Sequence, residues 1–322
     1  MAPGTRSWIE APVRRAANAS LLAVHTAHAG STSDREQTAG RDQRCRLCGT
    51  RGGLTLALQG DPSSLLKCRE CGVAFKDPLP DPAAISEHFR NDYITDDVHL
   101  EKIYGDLRRG ALDRIASQVN RRRAGGRILD VGCAGGYFLD RYFGAAKWEK
   151  FGIEPSRYAL RRAASRGIHT YEGEVSSVAL PDSYFDVITA AGVLPYFREP
   201  KRELRILQKA LKPGGLIVLE LPLGATQIWR HTTPLGRATG GGWRSPLQSP
   251  HLYYYDGRSL RFLLGQSGLR LDGLAPSPGN QQSRVLHKLL FGGYFWMSSA
   301  LSALSAERWL IGPGVIVTAT NS

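Results

Sequence analysis

The chain has 322 residues, 42% of them hydrophobic and 9% aromatic, which excludes wholesale disorder and allows one large domain or a domain plus a small module. A formal net charge of +13 and a pI near 9.8 exclude an acidic solvating chain and leave nucleic acid, anionic lipid or an acidic substrate as partners. The arginines are scattered, with one dense run at Arg121-Arg122-Arg123, so most of the charge reads as ordinary solvated surface.

Residues 1–44 are rich in Ala, Arg, Ser and Thr, lack sustained periodicity and read as a flexible arm. The run ASLLAVHTAHAG after Arg14-Arg15 is too short, and interrupted by His25 and His28, to favour a cleaved signal. Residues 45–76 form a cysteine module. CRLCG and CRECG carry Cys45, Cys48, Cys68 and Cys71, two C-x2-C pairs at the spacing of a zinc site. Four thiolates give Zn2+ a closed tetrahedral shell, which is structural rather than catalytic. Two disulfides are the competing reading. Little apolar content surrounds the cysteines, so metal binding is expected to supply much of the folding energy. Paired thiols at ligand spacing also suggest a reducing, cytoplasmic setting.

Residues 77–124 open with the stiff DPLPDP and continue with helical pattern over 83–89 and 100–119. From 125 the pattern alternates. Strands are expected at 127–131, 151–154, 185–190 and 216–221, and helices at 137–143, 158–165 and 200–211, the last closed by LKPGG. Alternating βα units build a parallel sheet with helices on both faces, and such sheets bind ligands at the carboxyl ends of their strands. The segment 223–249, with Trp229, His231 and Trp243, is long for a plain connection and reads as a binding loop. Residues 289–306 contain no charged residue and read as packing or dimer contact, with membrane-surface contact as the alternative. GVIVTAT at 314–320 reads as the last strand.

The turn after the first of these strands is RILDVGCAGGYFL. Its glycines let the backbone approach a ligand without a Cβ in the way. The dinucleotide fingerprint G-x-G-x-x-G fails, because Ala134 and Tyr137 stand where glycines should. The pattern that fits is Asp130-x-Gly132-x-Ala134-x-Gly136, an acid closing the strand and small residues alternating after it, suited to a cationic amine rather than a pyrophosphate.

DVGCAGG resembles the first motif of class I S-adenosylmethionine-dependent methyltransferases, with Ala134 in place of the middle glycine. FGIEPS, YEGEVSSVALPDSYFDVITAAGVLPYF and LKPGGLIVLELP follow in the family's order. The resemblance implies a doubly wound, seven-stranded, mostly parallel Rossmann-like α/β domain over 125–322, preceded by a small zinc ribbon. It implies S-adenosylmethionine as cofactor, held by Asp130, Gly132, Cys133 and Gly136 in the first turn. Glu154, with Pro155 beside it, takes the ribose hydroxyls; Glu174 takes the adenine amine, with Val175 against the ring. Pro213 and Gly215 only stop a helix and turn the chain. FKDPLPDPAAISEHF resembles the stretch joining a zinc ribbon to the methyltransferase domain in a bacterial subgroup that often acts on sugars, glycans or small metabolites. Many relatives carry Glu-His after the fourth strand, where this chain reads Pro195-Tyr196. His251, in SPHLYYYDGRSLRFLL, is therefore the candidate base or acceptor ligand, with Tyr196 lining the site. The expected acceptor is a small molecule or glycan methylated at oxygen. Nucleic acid is disfavoured, because no aromatic and basic interleaving is visible. The alternatives are an RNA methyltransferase gripping RNA with the ribbon, and a non-catalytic cofactor-binding scaffold.

Overall fold

The computed structural model describes residues 43–322 except 95, 98–99, 101–107, 235, 237–244 and 279–311. Nearly all of the expected N-terminal arm, Trp243 and the uncharged segment 289–306, with its expected dimer or membrane contact, lie outside the described residues.

The cysteine module is a small antiparallel sheet of β1 (Leu54–Leu58), β2 (Ser64–Cys68) and β3 (Ala74–Asp77). Each cysteine pair sits in a tight turn closed by a glycine. Gly49 donates its N–H to the Cys45 carbonyl at 2.8 Å, and Gly72 to that of Cys68 at 3.0 Å. Both glycines have left-handed φ, 78° and 83°, a conformation that a side chain disfavours. Helix α1 (Pro82–Glu87) starts where Asp81 caps the Ala83 N–H and Pro82 presets the first turn; a π-helical turn, His88–Asp92, and then α2 (Arg109–Asn120) follow.

The remaining elements are β4 (Gly126–Val131), α3 (Tyr137–Tyr142), β5 (Trp148–Glu154), α4 (Arg157–Ala164), β6 (His169–Glu172), β7 (Phe185–Ala191), a 3-10 turn at Leu194–Tyr196, α5 (Pro200–Ala210), β8 (Leu211–Pro222), α6 (Gly224–Thr232), β9 (Tyr253–Tyr254), α7 (Gly257–Gln266), β10 (Leu269–Ser277) and β11 (Gly314–Asn321). Seven strands line up in the order β10-β11-β8-β7-β4-β5-β6. β4 to β8 run parallel, while β11 is antiparallel to both neighbours. This is the expected seven-stranded, mostly parallel, doubly wound sheet. Near-continuous apolar runs such as LIVLEL in β8, buried throughout, are what a sheet covered on both faces requires. The chain departs from expectation at LKPGG. It does not merely close a helix: helix α5 ends at Ala210, Leu211 already pairs with Phe185, and the intervening residues bulge out before Leu216 resumes the ladder beside Val187. No helix among the described residues is long and apolar enough to cross a membrane.

The cysteine sheet is not a separate bead. β9 adds to it as a fourth strand, pairing Ala74 with Tyr254 and Phe75 with Tyr253. Cys45, Val73 and Phe75 share one buried core with Leu129, Leu219 and Tyr255. Tyr253, Tyr254 and Tyr255 are all core, at 2% exposure or less.

Candidate functional site

The strand order reverses at β4, and there a cavity opens beyond the carboxyl ends of β4, β5 and β7, the place where such sheets bind ligands. Gly132, Glu154 and Pro155 form its floor, Glu174 and Val175 one side, and Tyr196, Phe197 and Arg198 another. Ile85, Ser86, Phe89 and Tyr93, from the lead-in after β3, cover it.

The glycine turn is built backbone-first. Gly132 has φ 71°, and a Cβ there would sit 2.6 Å from Val193 Cγ2. Its N–H and that of Cys133 both donate to the Ile153 carbonyl, at 2.8 and 3.1 Å, tying the end of β4 to β5. Ala134 also has left-handed φ, 47°, and its N–H donates to Glu154 Oε2 at 3.0 Å. Glu154 Oε1 accepts the Ser156 N–H at 3.1 Å. Each carboxylate oxygen keeps a further lone pair for a ligand hydroxyl. Burial pushes the Glu154 carboxyl up to about 7, and the two backbone N–H bonds only partly offset this. Glu174 Oε1 accepts the Ser86 hydroxyl at 2.5 Å, joining the cover to the side wall.

Three other expected cofactor residues stand off the cavity wall. Asp130 is buried beneath the turn, and its Oδ1 accepts the Thr189 hydroxyl at 2.7 Å. Burial pushes it up to about 7, with Thr189 and then Arg108 opposing. The Cys133 thiol points into the core, where burial holds it well above its ordinary pKa. Gly136 starts α3 with φ 77°, and a Cβ on it would collide with Ile168. Its glycine serves helix packing.

The two expected catalytic residues lie side by side. The Tyr196 ring is on the wall, 4.9 Å from Phe89 and 5.0 Å from His251, both edge-on. Burial raises the Tyr196 pKa, so its hydroxyl stays protonated. His251 stands behind Tyr196 and does not line the cavity. Its Nδ1 is out of reach of solvent and has no hydrogen-bond partner among the described residues. Burial above all, then Lys76 and Arg108, push its pKa down to about 3, leaving a neutral ring at pH 7.

Sequence reasoning missed the cover and two charged wall residues. Arg108 bridges to Glu220 at 3.1 Å. Glu203, 5% exposed, accepts the Glu199 N–H at 3.1 Å, and burial pushes it up to about 7. A capped helix at 82 was legible; that it folds back over the sheet was not.

The four cysteine sulfurs converge. Their Sγ atoms all lie within 4.8 Å of one another, with Cys45–Cys71 at 3.6 Å and Cys48–Cys68 at 3.7 Å, and all four thiols are free. A tetrahedral ion with Zn–S near 2.3 Å sets its ligand sulfurs about 3.8 Å apart. The Cys71 hydrogen bond pulls Cys45 down to about 5, so one thiolate is already favoured.

A family model described as a methyltransferase domain matches residues 104–273. Among curated relatives, the tRNA U34 carboxymethyltransferase of Methylococcus capsulatus is 32% identical over 35% of this chain and 37% of its own length. That of Cellvibrio japonicus is 37% identical over 29% of this chain and 31% of its own. The chain thus spans about a third of the length of these relatives. A methyltransferase of Thermotoga maritima is a similar solved structure, 16% identical, with a TM-score of 0.47, covering 70% of this chain and 96% of that one. The expectation of a small-molecule or glycan acceptor methylated at oxygen, with nucleic acid disfavoured, is corrected by the curated relatives, which are named for a tRNA.

Proposed function

The chain belongs to the methyltransferase domain family, and from that premise we propose that it transfers a group from S-adenosylmethionine to RNA in the cavity above β4, β5 and β7. The observation that carries the acceptor is the run of curated relatives, at 32–37% identity, named for tRNA U34. A chain of net charge +13 suits a polyanionic partner.

The residues present fit the cofactor. Gly132 presents only backbone to the cavity, the place of a Cβ being taken by Val193, and Glu154 has lone pairs free on both oxygens. We read Glu154 with Pro155 as the ribose side and Glu174 with Val175 as the adenine side. Asp130 acts through the turn it underlies, Cys133 and Gly136 through its packing. Bound there, S-adenosylmethionine supplies an activated group on a sulfonium. The protein's own work is then largely orientation: the wall and cover hold acceptor and donor in line and exclude water. Tyr196 contributes a protonated hydroxyl that donates a hydrogen bond. His251 supports that ring from behind rather than taking a proton.

We read the cysteine module as a structural zinc site, with Cys45, Cys48, Cys68 and Cys71 as its ligands. Their mutual distances match a tetrahedral shell, and backbone N–H groups of Leu47 and Cys48 donate to the Cys45 sulfur, those of Glu70 and Cys71 to that of Cys68. A closed four-thiolate shell gives the metal no place in the transfer.

The test uses S-adenosylmethionine labelled in its methyl group, purified protein and unfractionated tRNA. Label should appear in nuclease-sensitive material, and tRNA affinity should fall steeply with salt. The mass gained by the nucleoside shows whether the group is methyl; carboxymethyl transfer needs a sulfonium donor already carboxylated on that carbon, which a parallel assay supplies. A protein that binds the cofactor but leaves tRNA unlabelled, with salt-insensitive RNA affinity, would sink the RNA reading.

A further inference from the structure

Lys76 is fully buried, at 0% exposure, on the last strand of the cysteine sheet. Taking an ammonium out of water is costly, and a methionine would fill the same volume without that cost. Among the described residues no carboxylate pairs with it. Its Nζ donates instead to two carbonyls of one loop, Leu247 O at 3.0 Å and Ser249 O at 2.6 Å. That loop leads directly into His251, whose ring packs on Tyr196.

The backbone makes the same connection. The Lys76 N–H donates to the Leu252 carbonyl at 3.0 Å, and the Leu252 N–H donates to the Pro195 carbonyl at 2.9 Å. One peptide unit thus accepts from the cysteine sheet, and the next hydrogen bond reaches the turn that carries Tyr196. The next residue repeats the pattern: Tyr253 pairs with Phe75 in β3, and its hydroxyl donates to the Arg198 carbonyl at 3.1 Å. Pro195, Tyr196 and Arg198 belong to the segment that walls the cavity after β7.

We propose that Lys76 is a positioning residue for the transfer cavity: from the cysteine sheet it holds the 247–252 segment, which in turn sets the 194–198 wall against which the acceptor is oriented. This rests on reading the cavity as the transfer site. The cysteine module then acts as a buttress of the site, and RNA grip is not required to account for it.

The experiment compares full-length wild type, Lys76→Met and Tyr253→Phe by amide exchange and by backbone NMR. Lys76→Met is expected to speed exchange at 247–252 and at 194–198 by about tenfold or more and to shift the Tyr196 and Phe197 amide resonances, leaving 128–133 and the native thiol reactivity unchanged. Tyr253→Phe removes one hydroxyl at nearly constant shape and should shift the 196–198 resonances. Loosening confined to 247–252 would overturn the proposal, as would a uniform rise that includes 128–133. Should Lys76→Met fail to fold, Tyr253→Phe decides by the same criterion: unmoved 196–198 resonances overturn it. Calorimetric binding of S-adenosylmethionine to the wild type is measured separately. Its failure would remove the cavity reading while leaving the exchange comparison intact.

Discussion

Glu154, at the end of β5, accepts the backbone N–H of Ala134 at 3.0 Å, so an acid on one strand holds the left-handed residue in the turn after its neighbour. The same carboxylate faces the cavity. A single side chain therefore shapes the glycine turn and offers acceptor atoms to the cavity. The left-handed conformation, costly for alanine, is compensated by a buried hydrogen bond to a carboxylate.

Replacing Glu154 by Ala removes both roles. Calorimetry should find S-adenosylmethionine affinity at least tenfold weaker, as loss of a hydrogen bond to a charged group costs roughly 1.5–3 kcal/mol. Unchanged affinity would move the ribose side elsewhere.

Glu154→Gln separates binding from stability. The folded carboxyl sits near 7 against an ordinary 4.5, so the native state holds its proton longer than the unfolded chain. Its contribution to stability is fully present below about pH 4.5 and is lost as pH rises through 7. Glutamine removes the ionisation at every pH, with a pH-independent loss of one of the two accepted N–H bonds, because its amide nitrogen cannot accept. The variant should therefore gain stability relative to wild type between pH 4.5 and 7, by up to about 3 kcal/mol. Denaturant unfolding without cofactor measures this; a pH-independent difference between the two proteins counts against it.

His251→Phe probes the opposite sign. The folded imidazole is held near 3, so the unfolded chain binds the extra proton, and stability is lost as pH falls from about 6.5 toward 3. Phenylalanine lacks that penalty, and the variant should lose less stability on acidification. Its pH–rate profile should keep the wild-type shape. Disappearance of an inflection between pH 6 and 7 would restore His251 as a base.

Gly132→Ala places a Cβ against Val193 at a φ of 71°. We expect a loss of about 1–2 kcal/mol in stability from the backbone conformation alone, with weakened cofactor binding as Val193, itself on the cavity wall, is displaced. Thermal unfolding and calorimetry report the two effects separately.

Metal analysis should find zinc in the purified protein and none in a Cys45→Ser, Cys68→Ser variant. Strong chelation should release it with a fall in the thermal midpoint, because the ion's binding energy stabilises the folded state that gathers the four sulfurs. Zinc-free protein of unaltered thermal midpoint would leave the cluster as four packed thiols.

Much of this architecture is written locally. The alternation of apolar strands with helical segments specifies a parallel sheet, and a glycine-rich turn after the first strand marks the strand end where the cavity opens, because both depend on neighbours in sequence. Each C-x2-C pair brings its own two thiols together within one turn, while the meeting of the two pairs needs the antiparallel sheet between them. LKPGG shows in sequence that a helix stops and the chain turns into a strand; that Leu211 already pairs with Phe185 depends on a partner strand.

What the sequence by itself determined was the set of elements, the glycine cradle, the acids at the strand ends and the thiol cluster. Only the tertiary structure decided which of those residues reach the cavity. It turned Asp130 beneath the floor and Cys133 into the core, set His251 behind Tyr196, drew α1 over the top, and gave β9 to the cysteine sheet. The physical reason is range. Turns and strand ends are fixed by steric and hydrogen-bonding choices within a few residues, whereas the orientation of a side chain at a shared wall depends on burial and pairing among segments far apart in the chain.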